Sequence, residues 1–112
     1  MAEQKKEPEY FMYFPGNYRW SAAFINMMGS ATYGGSDIGE LHKIGTLLKS
    51  AAPEDDDAWF DACLKVADGV RTHAEKFAAG GHRVSAAAAY LRACNYYQMA
   101  ERFRTPKDTK AL

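Results

Sequence analysis

The sequence lacks the features that mark several large classes of protein. Its 14 lysines and arginines balance 14 aspartates and glutamates, so no net charge attracts nucleic acid or an anionic membrane over long range. No apolar run approaches the roughly 20 residues that a membrane-spanning helix needs. The N-terminal stretch MAEQKKEPEY has no apolar core like that of a signal peptide. We therefore expect a cytoplasmic protein that binds neither nucleic acid nor a membrane.

Cysteine is also scarce, since the chain has only Cys63 and Cys94. Both lie within expected helices and not in a framework of disulfide-linked loops. We therefore interpret them as buried free thiols in a reducing compartment.

Motifs that carry chemistry are missing as well. The sequence has no Gly-x-Ser-x-Gly elbow, no phosphate-binding glycine loop and no Cys-x-x-Cys pair. His42, His73 and His82 do not have the spacing of a shared metal site. The acidic run at 55–57 lacks the alternating ligands of a calcium loop, and favourable electrostatics at a helix start explain it more simply. The sequence predicts no catalytic residue, no metal ligand and no cofactor.

What the sequence does contain is apolar residues at helical spacing. Predicted helices run from Tyr18 to about residue 28, from a cap at Asp37, from the acidic run to Gly80-Gly81, and from a cap at Ser85 to about residue 104. No segment has the alternation of a strand. The predicted fold is all-α, a bundle of about four helices. Its expected core includes two tryptophans and two other aromatic residues: Trp20, Trp59, Phe77 and Tyr90.

The segments around the helices complete the predicted organisation. Residues 1–9 are expected to be a disordered polar tail, 10–104 the helical domain and 105–112 a C-terminal tail. Residues 10–20, YFMYFPGNYRW, are dense in aromatics and interrupted by Pro-Gly, which marks a turn. We expect this segment to pack across the helices as an irregular strap.

The last predicted helix is apolar over an unusually wide arc. On a helical wheel, an arc of about 140° at 100° per residue is filled by Ala86, Ala89, Tyr90, Ala93, Cys94, Tyr97 and Ala100, and Tyr96 widens it further. Such a helix either occupies the centre of the bundle or also contacts something outside it. Tyr96 and Tyr97 suit core packing or a ligand pocket, because tyrosine combines an apolar ring with a hydroxyl group.

The segment AGGHRVSAAAAYLRACNYYQMAERF at 79–103 resembles a pattern found in one family. It is similar to the N-terminal helical region of α/β-hydrolases of the 2,6-dihydropseudooxynicotine hydrolase and fermentation-respiration switch protein type. The matching pieces are Gly-His at 81–82, Ser-Ala at 85–86, YLRA at 90–93, NYY at 95–97, Ala-Glu at 100–101 and Phe103. Upstream, YGGSDIGE at 33–40 is also similar, so the resemblance spans about residues 17–104.

The resemblance implies a helical lid and dimer-forming region above a catalytic core. That core would supply the serine, aspartate and histidine of the triad, none of which can be matched to a residue of this chain. The implied partners are a hydrolase core or a second copy of the chain, which would make a homo-oligomer, together with a small-molecule substrate. Arg92, Tyr96 and Tyr97 are the residues predicted to face the substrate or the partner.

Two other functions remain open from the sequence. Two long helices joined by Gly-Gly are also typical of a tetratricopeptide hairpin in an interaction module, although no repeat near 34 residues is found. A small stand-alone enzyme or metal-binding bundle is a weaker alternative, since the polar residues of the sequence do not converge.

Overall fold

A computed structural model, which describes residues 12–104, has four α-helices, and they lie where apolar residues recur at helical spacing. These helices are α1 (Tyr18–Gly29), α2 (Ile38–Leu47), α3 (Asp56–Ala79) and α4 (Arg83–Glu101), with a short 3₁₀ turn at Ser30–Tyr33 between the first two. The part of the chain that is described contains no strand, and the all-α prediction is confirmed. The predicted tails at 1–9 and 105–112, and the first two residues of the strap, lie outside the described residues.

The core forms where the strap, α1 and α3 meet. Trp20, Phe24 and Trp59 are almost completely buried, and the ring of Phe14 from the strap contacts all three. Pro15 and Gly16 turn the chain back after this contact, with a hydrogen bond of 2.9 Å from the Asn17 amide to the Phe14 carbonyl. Gly16 has φ +79°, which suits the third position of a type II turn. The predicted strap is therefore present in residues 12–17.

Each acidic residue at the start of α3 has a separate task. Asp55 caps the helix by accepting a hydrogen bond from the Ala58 amide at 3.0 Å. Asp56 binds Arg19 at 2.7 Å and accepts a 3.1 Å hydrogen bond from the indole of Trp20. Asp57 pairs with Arg104 at 2.8 Å. The run thus favours the helix start and also connects α3 to α1 and to the segment that follows α4.

A long hairpin of α3 and α4 dominates the fold, and α3 packs principally against α4. The two helices are joined at Gly80-Gly81, as predicted. Gly81 adopts φ +80°, and the His82 amide donates to the Phe77 carbonyl at 2.8 Å while the Gly81 amide donates to Ala78 at 3.1 Å. These two bonds form a Schellman motif, which needs the left-handed conformation that glycine adopts without steric cost.

The prediction that Phe77 and Tyr90 belong to the core is wrong. Their exposed fractions are 38% and 43%, respectively. The reason is geometric, because α3 has 24 residues and α2 only 10. At 1.5 Å per residue, α3 is about 36 Å long and α2 about 15 Å. Near the hairpin tip, only the opposite helix covers each helix, and Ala74 is the one buried residue between 71 and 85.

The predicted cap at Ser85 is also wrong. The chain leaves the Schellman motif already directed along α4, so the helix begins at Arg83 with His82 in the cap position, and no side chain makes a cap hydrogen bond there. The prediction of two buried thiols is half correct. Cys63 is buried against the core, whereas Cys94 is exposed.

The Asp37 cap of α2 is confirmed, and it provides a matched pair of substitutions with Ser85. The Asp37 carboxylate accepts a hydrogen bond from the Glu40 amide at 3.1 Å. We expect Asp37→Ala to lower the free energy of unfolding by about 1 kcal/mol. Ser85→Ala should change it by less than about 0.5 kcal/mol, since Ser85 is exposed and caps nothing. Urea unfolding followed by circular dichroism measures both values, and equal losses would contradict the observed caps.

Candidate functional site

A polar cluster joins the start of α2 to the middle of α4. Arg92 donates to both carboxylate oxygens of Glu40, from Nε to Oε1 at 2.8 Å and from Nη2 to Oε2 at 3.2 Å. The Tyr96 hydroxyl donates to the same Oε1 at 2.7 Å. Glu40, Arg92 and Tyr96 form what we name the Glu40 cluster. The fork-like geometry between guanidinium and carboxylate is the strong, orientation-specific form of an ion pair.

Tyr96 also completes the cap of α2. Its hydroxyl oxygen accepts a hydrogen bond of 2.9 Å from the Asp37 amide. In an ordinary capping box, the glutamate three residues after the cap would bind that amide directly. Here the Tyr96 hydroxyl lies between the Asp37 amide and the Glu40 carboxylate, because Glu40 is directed towards Arg92. One residue before Tyr96 on α4, the Asn95 side chain donates to the Gly35 carbonyl at 2.8 Å, which attaches the loop before α2 to α4.

The environment of the Glu40 cluster shifts the pKa values of its members. Burial raises the pKa of Tyr96, and the hydrogen bond to Glu40 raises it further. The hydrogen bond to Glu40 also raises the pKa of Arg92. Both shifts favour the protonated donors, so the cluster is a set of fixed charges and hydrogen bonds. A carboxylate that already accepts from two residues is poorly placed to act as a general base.

Tyr97 lies on the other side of α4. Its hydroxyl donates a short hydrogen bond to Asp68 of α3. Burial is the larger cause and this hydrogen bond the smaller one, and together they raise the pKa of Tyr97 to about 12. The structure therefore brings Arg92 and Tyr96 together and separates Tyr97 from them. The ring of Tyr96 is fully buried, Arg92 has 24% of its side chain exposed, and Tyr97 is half-buried. That these residues face a substrate or partner stays a prediction.

The candidate nucleophiles and metal ligands do not form a site within residues 12–104. No group of three histidine, cysteine, aspartate or glutamate side chains there could hold a metal ion. Burial raises the pKa of the Cys63 thiol and so disfavours its reactive thiolate. No hydrogen bond joins Ser85 to His82, whose ring instead lies against Phe77 at 6.5 Å between centroids. No helix in this range is long and apolar enough to cross a membrane.

The surface of α4 that faces away from α3 is apolar and uncovered within the described residues. Val84 and Leu91 have exposed fractions of 85% and 45%, and Ala87 and Ala88 between them are exposed as well. These four residues, which we name the outer face of α4, follow the i, i+3, i+4, i+7 spacing of one helical face. The buried face, with Ala86, Ala89, Ala93, Tyr96 and Ala100, is on the opposite side. The outer face is not part of the predicted apolar arc, whose alanines Ala86, Ala89, Ala93 and Ala100 lie on the packed face.

The sequence contained part of the signal for these features. Glu40 was identifiable as a capping residue, but its partners are 52 and 56 residues away, and no local pattern reveals them. Asp68, the partner of Tyr97, is 29 residues away from it, and no local pattern reveals this contact either. The outer face of α4 could have been found, since its spacing is visible in the sequence. The helical wheel missed this face, because the predicted apolar arc was placed around the tyrosines, on the other side of the helix.

Comparison with known proteins identifies relatives of the chain. No family model and no solved structure matches it. Alpha/beta hydrolase ucsC of an Acremonium species is 35% identical over 97 residues, which covers 82% of this chain and 19% of the relative. The 20-hydroxy-prefusarin hydrolase FUS2 of Gibberella moniliformis is 32% identical over 91 residues, covering 80% of this chain and 21% of that protein.

A third relative, hydrolase acrC of Aspergillus aculeatus, is 30% identical over 104 residues, which is 91% of this chain and 23% of acrC. The chain spans about a fifth of the length of the curated relatives it matches. The matching subtype of hydrolase is not identified by these relatives. Over most of its length, the chain is therefore related to a segment of proteins named α/β-hydrolases.

Proposed function

We propose that this chain forms the helical lid or substrate-lining region of an α/β-hydrolase that acts on a small metabolite. The similarity to proteins named α/β-hydrolases carries this proposal. The chain is not catalytic by itself, because the serine, aspartate and histidine of the reaction belong to the catalytic core. Its contribution is to cover that core and to limit which molecules reach it.

The outer face of α4 is the surface that such a core would cover. Exposed single apolar residues are common on proteins, but four at one helical face make a continuous patch. Tyr90 and Cys94 extend this patch along the same helix, and both are exposed. The catalytic core is the proposed occupant. A second copy of the chain, giving a homo-oligomer, is the other partner that an apolar helix face of this kind fits.

The predicted site residues take different parts in this arrangement. Arg92 and Tyr97 have exposed surface to offer to a substrate or to the core. Tyr96 acts through Glu40, since its own ring is enclosed. The Glu40 cluster then sets the angle at which α4 crosses α2, and this angle determines the shape of the surface that the core meets.

A chimeric enzyme tests the proposal. The segment of 20-hydroxy-prefusarin hydrolase FUS2 that matches this chain is replaced by residues 12–104, and hydrolysis of 20-hydroxy-prefusarin is measured. We expect the chimera to remain active. Leu91→Glu in the chimera should lower the rate at least about tenfold, because a carboxylate buried without a partner costs several kcal/mol. Ser50→Glu, at an exposed loop position, is the control and should leave the rate unchanged.

The isolated chain provides a second measurement that does not depend on the chimera. We expect residues 1–112 to show no hydrolysis of p-nitrophenyl butyrate above the buffer rate. Ester hydrolysis that Ser85→Ala removes would overturn the claim that the chain is not catalytic. A folded chimera that tolerates Leu91→Glu without loss of rate would overturn the assignment of the outer face to the core.

The tetratricopeptide-like module remains the alternative. The observation that favours it is the α3–α4 hairpin itself, in which two antiparallel helices are joined by a tight glycine turn. In that case, the outer face of α4 would bind a partner peptide and not a hydrolase core. A chimera without activity, together with normal folding of the inserted helices, would support this alternative.

A further inference from the structure

A groove between α2 and α3 borders the Glu40 cluster at Glu40 itself and lies apart from the outer face of α4. Its volume is about 520 Å³, which is within the usual range for sites that hold small molecules. Leu47 of α2 and Val66 and Val70 of α3 form its apolar wall. Leu47 keeps 46% of its surface exposed, although it lies on the side of α2 that faces α3. The groove therefore presents an apolar surface that the described residues do not fill.

Gly69 keeps the groove open. It lies in the interior of α3, where glycine destabilises a helix by about 1 kcal/mol relative to alanine. A Cβ atom at this position would have no neighbour within 4 Å, so packing against the rest of the fold does not require glycine. Its φ is not positive either, so the backbone does not require it. What the missing side chain provides is space along the groove between Val66 and Val70.

The rim of the groove is cationic. Lys43 of α2 and Lys65 of α3 line it, together with His42 and His73. Neither lysine forms an ion pair with another residue of the range 12–104. Glu40 is the one carboxylate among the described lining residues, and its oxygens already accept from Arg92 and Tyr96. Lysine can lay its alkyl chain along an apolar wall and keep its ammonium group at the edge.

We propose that the α2–α3 groove binds a small amphiphilic carboxylate. The apolar tail lies against Leu47, Val66 and Val70, and the carboxylate lies at the lysine rim. The lining of α2 runs from Glu40 to Leu47 and that of α3 from Lys65 to His73. At 1.5 Å per residue, the groove is about 11–12 Å long, which suits a short, extended acyl chain. This site goes beyond the proposed function and does not depend on it.

The test uses octanoate as the ligand and the full chain of residues 1–112. Titration is followed by ¹H–¹⁵N correlation spectra, in which the amides of α2 and α3 that line the groove should shift. We expect octanoate to bind about threefold to fivefold more tightly than octan-1-ol, as for exposed ion pairs. Affinity should rise roughly twofold to fourfold for each methylene from butanoate to octanoate, because each one removes apolar area from water.

Two variants, each with a control, separate the space of the groove from its charge. Gly69→Leu should weaken octanoate binding at least about tenfold, since its side chain occupies the volume of several methylenes. Gly69→Ala is its control for helix stability and should keep most of the affinity. The double variant Lys43→Gln and Lys65→Gln should remove the preference of octanoate over octanol. Lys49→Gln with Lys76→Gln changes the charge equally outside the groove and should keep that preference.

Three results would overturn the proposal. One is unchanged octanoate binding in Gly69→Leu, with circular dichroism showing a folded protein. Another is equal binding of octanol and octanoate by the unmodified chain, which would leave the lysines without a part in recognition. The third is the absence of shifts in the groove up to the solubility limit of octanoate. None of these results bears on whether the outer face of α4 meets a hydrolase core, so the two proposals fail separately.

Discussion

Replacing Trp59 with alanine is expected to lower the free energy of unfolding by about 3–5 kcal/mol. Trp59 is fully buried, and its ring contacts Trp20, Phe24 and Phe103, at centroid distances of 5.5, 6.0 and 5.2 Å. It is therefore the side chain at which the strap, α1, α3 and the end of α4 meet. A cavity there is lined by rigid rings that cannot collapse into it, which places the cost in the upper part of the range for core substitutions.

Trp59→Phe separates the packing from the hydrogen bond of the same side chain. The indole nitrogen of Trp59 donates to the Met99 carbonyl at 2.8 Å, so it also closes the end of α4 onto α3. Phenylalanine keeps much of the ring contact and removes the indole donor, while the Met99 carbonyl keeps the 3.3 Å hydrogen bond from the Arg102 amide. We expect this loss to cost about 0.5–1.5 kcal/mol. Urea unfolding followed by circular dichroism should rank the alanine variant as the less stable of the two.

Tyr18→Ala is the matched control for loss of an aromatic ring. Tyr18 is 70% exposed on α1, so its removal should change the unfolding free energy by no more than about 0.5 kcal/mol. If Trp59→Ala and Tyr18→Ala proved equally mild, Trp59 would not be the centre of the core. If Trp59→Phe lost as much as Trp59→Ala, the hydrogen bond would matter more than the packing.

The features that the sequence predicted correctly are local ones. Asp37 caps α2 because its own side chain reaches an amide three residues ahead. Gly81 ends the α3 turn because a left-handed residue is needed there and glycine meets that need. Each depends on atoms a few residues apart, and sequence spacing specifies such contacts. The burial of Trp20 and Trp59 was predictable for a related reason, since large apolar rings on one helical face are driven out of water.

The errors arose where the answer depends on what lies across the fold. Phe77 and Tyr90 are on apolar faces, but the neighbours that would bury them, α1 and α2, do not extend to the hairpin tip. Ser85 is a suitable cap residue in a helix that starts two residues earlier, because the Schellman motif has already set its direction. The spacing of apolar and capping residues alone reveals neither the relative lengths of the helices nor the direction of the chain after a turn.

The second large effect is expected from Glu40→Ala, which should lower the free energy of unfolding by about 2–3 kcal/mol. The substitution leaves the Arg92 guanidinium without a counter-charge and the enclosed Tyr96 hydroxyl without an acceptor. A fully buried pair that loses one partner costs about 3–5 kcal/mol. The effect is smaller here because 18% of the Glu40 side chain and 24% of the Arg92 side chain remain exposed. Glu54→Ala, which removes an exposed loop carboxylate, is the control and should be nearly neutral.

Tyr96→Phe and its combination with Glu40→Ala show whether the cluster acts as a unit. The phenylalanine variant alone should lose about 1–3 kcal/mol, because the Asp37 amide and one Glu40 oxygen both lose a partner. The double variant should lose less than the sum of the single losses, since the two side chains share one hydrogen bond. Strict additivity would mean that the tyrosine and the carboxylate stabilise the fold independently, and the cluster would then not set the position of α4.

The comparison of the unmodified chain with Tyr96→Phe also gives a pH dependence of known sign. Burial and the Glu40 hydrogen bond raise the pKa of Tyr96 above its usual value, so the folded state favours the neutral phenol. The contribution of the neutral Tyr96 phenol to the free energy of unfolding is fully present below the pKa of the unfolded state, about 10. It is lost as the pH rises from there through the raised pKa of the folded state. The stability advantage of the unmodified chain over Tyr96→Phe should therefore be constant up to about pH 10 and shrink above it. Tyr13 and Tyr97 also have raised pKa values, but both variants retain them, so the difference isolates Tyr96. An advantage that stayed constant to the alkaline limit of folding would show that the hydroxyl of Tyr96 is not held between Asp37 and Glu40.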